Sequence, residues 1–151
     1  MGTYKEFQFG TLLFTCLLLV QILQTYLFVN HLGTRPMGLS IFIVSSAILI
    51  ISLALFYGMT TVVDNDKVMV LFGIGLIRKS IELKRIQQVD IVRTPWYYGR
   101  GIRFIPRGML YNVSGGDSVE LTFYGSKRVI RIGTRDPIQL SAEIQRRLAS
   151  H

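Results

Sequence analysis

Few residues in this chain that could do chemistry come with the partners such chemistry needs. Histidine, the usual general base, occurs only as His31 and His151, neither near other ligand-type side chains in the sequence. Asp64 and Asp66 are carboxylates at i, i+2, a spacing a cation site can use, but with Asn65 between them the triplet reads as a polar hairpin turn. Gly73-Ile74-Gly75 and Gly99-Arg100-Gly101 each contain G-x-G without the helix that a phosphate-binding glycine loop opens onto. Ser114 and Ser118 have no neighbouring base, and Cys16, the single cysteine, excludes an internal disulfide and a cysteine-rich metal site. No enzyme is expected, and no catalytic residue, metal or cofactor is assigned.

The stronger signal is cationic. Lys84, Arg85, Arg93, Arg100, Arg103 and Arg107 crowd around the segment RTPWYYGRGIRF, residues 93–104. Arginine forks suit phosphate oxygens, and each cation beside an anionic leaflet gains about 1 kcal/mol. Among the arginines lie Trp96, Tyr97 and Tyr98, residue types that favour the membrane–water interface. The expectation is therefore contact with anionic headgroups or the leaflet, through an interfacial loop over residues 93–103. In the competing reading, Trp96 plugs the core or meets another copy of the chain.

Charge is unevenly spread along the 151 residues. No Asp, Glu, Lys or Arg occurs between Glu6 and Arg35, nor between Arg35 and Asp64, whereas residues 60–151 carry fifteen Lys/Arg against eight Asp/Glu, +7 of the chain's +8. Two apolar stretches, about 7–29 and 37–59, are each long enough to cross a bilayer, which takes about 20 residues. The link between them holds Asn30, Gly33 and Pro36, a stop, a turn and a restart, so the helices must form an antiparallel hairpin. Gln21, Gln24 and Thr25 on the first stretch, and Ser45, Ser46 and Ser52 on the second, are expected to bond between helices. Only Arg35 is charged in the link, while Lys5, Lys67, Arg78 and Lys79 flank the other ends, which predicts both termini on the cytoplasmic side. The opening MGTYKE has Glu6 where a myristoylation signal needs Ser or Thr.

After Met59 the pattern becomes one of short alternating runs: 60–63, 67–72, 76–83, 86–92, 102–105, 109–113, 118–123 and 127–132. A helix follows, with Asp136 as N-cap, Pro137 at its first position, an apolar stripe of Leu140, Ile144 and Leu148, and Glu143, Gln145, Arg146 and Arg147 facing water. The run LKRIQQVDIV…GRGIRF…YNVSGGDSVELTF…VIRIGTRDPIQLSAEI resembles the bacterial pleckstrin-homology-like (PH-like) domains found behind transmembrane hairpins. That resemblance implies an α+β fold: a helical hairpin over 1–59, then a PH-like antiparallel barrel or sandwich of about seven strands over 60–151, capped by one C-terminal helix. It also implies an inner-membrane, non-catalytic interaction or scaffolding module whose partners are anionic lipid and a protein or second copy. The alternative is an accessory subunit recruited to a larger membrane complex through its hairpin. Nucleic acid, which arginines and aromatics could also bind, is not expected, because no linker separates the domain from the bilayer.

Overall fold

The computed structural model describes residues 3–33, 37–113 and 115–150; Met1, Gly2, Thr34, Arg35 and Pro36 of the interhelical link, Ser114 and His151 lie outside them. The first element is a strand, β1 (Tyr4–Phe9), followed by helices α1 (Thr11–Val29) and α2 (Leu39–Phe56). Thus the first helix starts at Thr11 and not at Phe7. In β1 the inward side is polar: Gln8 is fully buried, its Nε2 donating to the Gly133 carbonyl at 2.8 Å. Phe7 and Phe9 face outward toward Tyr57, with ring centroids 6.1 and 6.5 Å away. That inverted alternation makes β1 read as the start of the apolar run.

Neither helix has a polar face, and neither has a buried residue. Both are long and apolar enough to cross a membrane. The interhelical bonds form as expected: Gln24 Nε2 donates to Ser45 Oγ at 2.6 Å and Gln21 Nε2 to Ser46 Oγ at 3.1 Å. Thr25 and Ser52 instead bond back to the Gln21 and Ile48 carbonyls of their own helices. Phe28 stacks on Phe42 toward the closed end of the hairpin, centroids 4.2 Å apart. From α2 the chain passes through Tyr57 directly into β2, where Met59 is already in the core.

Eight strands follow α2: β2 (Gly58–Val63), β3 (Lys67–Phe72), β4 (Ile77–Glu82), β5 (Ile86–Arg93), β6 (Gly101–Ile105), β7 (Gly108–Asn112), β8 (Asp117–Phe123) and β9 (Ser126–Gly133). With β1 the described residues hold nine, more than the seven or so expected. Their bounds match the alternating runs within two residues. Four strands form one antiparallel sheet in the order β1-β2-β3-β4. The other sheet has the order β5-β8-β9-β7-β6 and is antiparallel except for the β7–β9 pair. Both sheets and helix α3 (Pro137–Leu148) feed one core, with Val68, Val70 and Phe72 meeting Val119, Leu121, Ile132, Leu140 and Ile144. The Asp136 carboxylate caps α3, accepting from the Gln139 N–H at 2.9 Å.

Arg147 departs from expectation. It is 1% exposed instead of facing water, its guanidinium donating to Glu143 Oε1 and to Asn65 Oδ1 in the β2–β3 turn. Long stems bury readily where the head finds acceptors, and here both acceptors are within reach.

Strand direction gives the sandwich two ends. The end next to the helices holds the β1–α1 junction, where the Gly10 N–H donates to the Tyr57 carbonyl at 2.8 Å. It also holds the β3–β4 turn, whose Gly73 N–H donates to the Gly58 carbonyl at 2.8 Å, and the connections after β5 and β7. At the far end are the Asp64–Asp66 turn, the short turn Leu83–Arg85 and the β6–β7 turn. An eight-residue strand such as β5 separates the two by roughly 23 Å.

Candidate functional site

The segment after β5 is held by its first residue and released by its glycines. Thr94 is buried; its N–H donates to the Gly116 carbonyl at 2.9 Å, and its hydroxyl shares a hydrogen bond with Ser118 Oγ at 2.7 Å. Pro95 then starts a single tight turn, Trp96–Tyr98, closed by the Gly99 N–H on the Trp96 carbonyl at 3.0 Å. Gly99 and Gly101 continue with φ of 72° and 99°, a backbone that side-chain-bearing residues rarely adopt. This path turns Tyr98 onto a small cluster of Ile105, Leu110 and Val129 and leaves Trp96 and Tyr97 outside. Trp96 is 90% exposed and Tyr97 66%, so Trp96 does not plug the core.

The six expected basic residues divide between the two ends of the sandwich. Arg93, Arg100 and Arg103 line one cleft of about 950 Å³ together with Trp96 and with Leu12 and Leu13, from the first turn of α1. Arg103 Nε leans toward the Arg100 carbonyl at 3.4 Å. Asp117 is the cross-strand partner of Arg93, yet among the described residues neither Arg93 nor Arg103 forms an ion pair with a carboxylate. Lys84 and Arg85 lie at the far end, where Lys84 approaches Glu82 at 3.6 Å, an exposed pair worth little. Arg107 is also there, in the β6–β7 turn beside Lys127 and Arg128.

Asn112, read from sequence only as a strand residue, closes the floor of the cleft. It is 1% exposed; its Oδ1 accepts the Gly115 N–H at 2.8 Å, while its Nδ2 has no partner among the described residues. Gly133 is packed so tightly beneath it that an added Cβ would collide with the Asn112 amide. Gly115 and Gly116, at φ of 80° and 85°, fold the β7–β8 connection over the same opening.

A second feature of this end was also missed. Gly73 sits directly against α2, where a Cβ would strike the Ala54 and Leu55 carbonyls, and this holds the β3–β4 turn against the helix end. Beyond it Ile74 is 65% exposed and Leu76 72%, followed by the exposed cations Arg78 and Lys79. Two aliphatics set out among turn glycines next to an apolar helix were the available signal. The Asp64 turn matches its expectation, Asp64 Oδ1 accepting the Asn65 N–H at 2.8 Å. Comparison of the chain with protein-family models, curated proteins and solved structures finds no match.

Proposed function

We propose that this chain is a two-span inner-membrane protein whose β-domain is a PH-like module seated end-on on the anionic cytoplasmic leaflet, with both termini cytoplasmic. It acts there as a non-enzymatic interaction or scaffolding module. One observation carries the reading. Two helices without a buried residue run without a linker into the sandwich end that bears Trp96, Tyr97, Ile74, Leu76 and the arginines of the cleft. In water, two such fully apolar cylinders would remain uncovered; in lipid they need no cover. Exposed aromatics and aliphatics flanking the helix roots suit the interface, and three cations contribute about 3 kcal/mol of attraction to an anionic surface. The PH-like reading is supported by the element order: with the β6–β7 hairpin set aside, seven strands and a terminal helix remain, and the helical hairpin is an insertion between the first two strands.

Trp96 is the only tryptophan, so its fluorescence reports the seat directly. In nanodiscs containing the full chain, lipids brominated near the carbonyl should quench Trp96 more strongly than lipids brominated near the methyl end. Emission that ignores brominated lipid and yields fully to aqueous iodide would reject the seated domain. The alternative reading, recruitment through the hairpin, has its own support in Gln21, whose Oε1 is buried without a partner among the described residues, beside a groove that includes Thr25 and Tyr26. Under that reading a partner captured by the full chain is lost when Gln21 and Thr25 are replaced by Leu and Val, but kept when Trp96 is changed.

A further inference from the structure

The cleft beside α1 has features that a general attraction to a charged surface does not require. A buried amide donor without a partner is costly in a native fold unless something accepts from it, and Asn112 Nδ2 is such a donor among the described residues, on a side chain that lines the cleft together with three arginines. The first turn of α1 adds to this. Leu12 and Leu13 line the cleft, the preceding Gly10 supplies no capping side chain, and the positive end of the helix dipole therefore faces the same space. All these donors favour an anion with several acceptor oxygens. The apolar part of the wall, Leu12, Leu13 and Trp96, suits a ligand with an apolar continuation.

We propose that the cleft formed by Arg93, Arg100, Arg103 and Asn112 at the root of α1 binds the phosphate of a single anionic lipid headgroup. The proposal rests on the membrane-seated reading above. The arginines supply forked donors to the phosphodiester oxygens, Asn112 Nδ2 donates from below, and the acyl chains run outward along Leu12 and Leu13 toward the bilayer. Free phosphate shares this chemistry without the apolar part.

The test uses the purified full chain in mild detergent, titrated with phosphatidylglycerol or phosphatidylcholine and read by native mass spectrometry. One phosphatidylglycerol should be retained at saturation, and phosphatidylcholine should be retained far less. Asn112→Asp keeps the acceptor for the Gly115 N–H and replaces the donor with a carboxylate oxygen; it should weaken retention by about tenfold or more, the worth of one charge-assisted bond. Arg103→Gln, at an exposed position where folding is not at stake, should do the same, while the far-end pair Lys84→Gln and Arg85→Gln should not. Retention that climbs without saturating, or falls equally for near-end and far-end changes, would overturn the site. Displacement of the lipid by inorganic phosphate at equal concentration would keep the phosphate chemistry but overturn lipid as its source. Trp96 quenched by brominated lipid with no lipid retained would leave the seat standing and the cleft proposal refuted.

Discussion

Cutting the β-domain free of its helices should succeed only if β1 is kept. The Gly10 N–H and the Tyr57 carbonyl are 2.8 Å apart, so residues 1–10 and 57–151 can be joined by a linker of about four residues at little entropic cost. A fragment starting at residue 57 loses more than an edge strand. Glu6 accepts from Thr134 Oγ1 at 2.7 Å and from the Arg135 N–H at 3.0 Å, and buried Gln8 donates to the Gly133 carbonyl at 2.8 Å. Two bonds to a carboxylate at about 1.5–3 kcal/mol each and one neutral bond at about 1 give roughly 4–7 kcal/mol. Here the β1–β2 ladder and its burial are taken to offset the ordering of six residues. A domain of this size has a total stability of roughly 5–14 kcal/mol, so the shortened fragment should be at the edge of unfolding or beyond it. Urea titration followed by circular dichroism should show a cooperative transition for the joined version and little or none for the fragment. Glu6→Gln in the joined version should lower stability by about 2–3 kcal/mol at unchanged m. Equal midpoints for fragment and joined version would refute this role for β1.

Three further outcomes follow from buried or crowded positions. Arg147→Met should cost about 3 kcal/mol in urea titration, because it strips Glu143 and Asn65 of their shared donor. The hydrogen bond from Arg147 is the main cause holding the Glu143 carboxyl below 4.5, so its stabilisation is present above that value and lost as pH falls through the depressed one. The same variant should therefore flatten the acid limb of stability against pH. Burial, with the Glu6 carboxylate beside it, pushes Tyr4 up to about 12 from 10, so its contribution is complete below pH 10 and lost as pH rises toward 12; Tyr4→Phe should reduce the alkaline loss seen by circular dichroism. Gly108→Ala should destabilise by about 1–3 kcal/mol, since the new methyl would run into the Val129 backbone carbonyl across the parallel β7–β9 pair; an unchanged melting curve would contradict that register.

What could be read from the sequence was what side-chain periodicity encodes. β3 alternates cleanly, β5 and β8 also lie within a residue of their apolar runs although β5 shifts register after Ile86, and Asp136-Pro137 set the start of α3 because a cap and a fixed φ are local chemistry. β1 was hidden because its inward positions are Glu6 and Gln8 and its outward ones Phe7 and Phe9, so hydropathy joined it to the apolar run that follows. Arg147 was missed because charge usually marks the water side, and its partner Asn65 lies 82 residues away. Nearness in sequence groups Lys84, Arg85 and Arg107 with Arg93, Arg100 and Arg103. Reversal of direction from strand to strand, which composition does not carry, sent them to the opposite end. Asn112 carried no signal at all; only its amide nitrogen, without a partner among the described residues, distinguishes it in the folded chain.

Cys16 provides the most direct test, because the only sulfhydryl in the chain lies five residues into α1, about 8 Å beyond Thr11, and is exposed on the bare protein. Native membrane sheets open to reagent on both faces would be treated with a charged maleimide, beside a sample unfolded in dodecyl sulfate. If lipid surrounds the helices, Cys16 stays unlabelled in the sheets and reacts fully once unfolded. Labelling at equal rates in both would mean that water reaches α1, and neither the bilayer-spanning hairpin nor the seated domain built on it would stand.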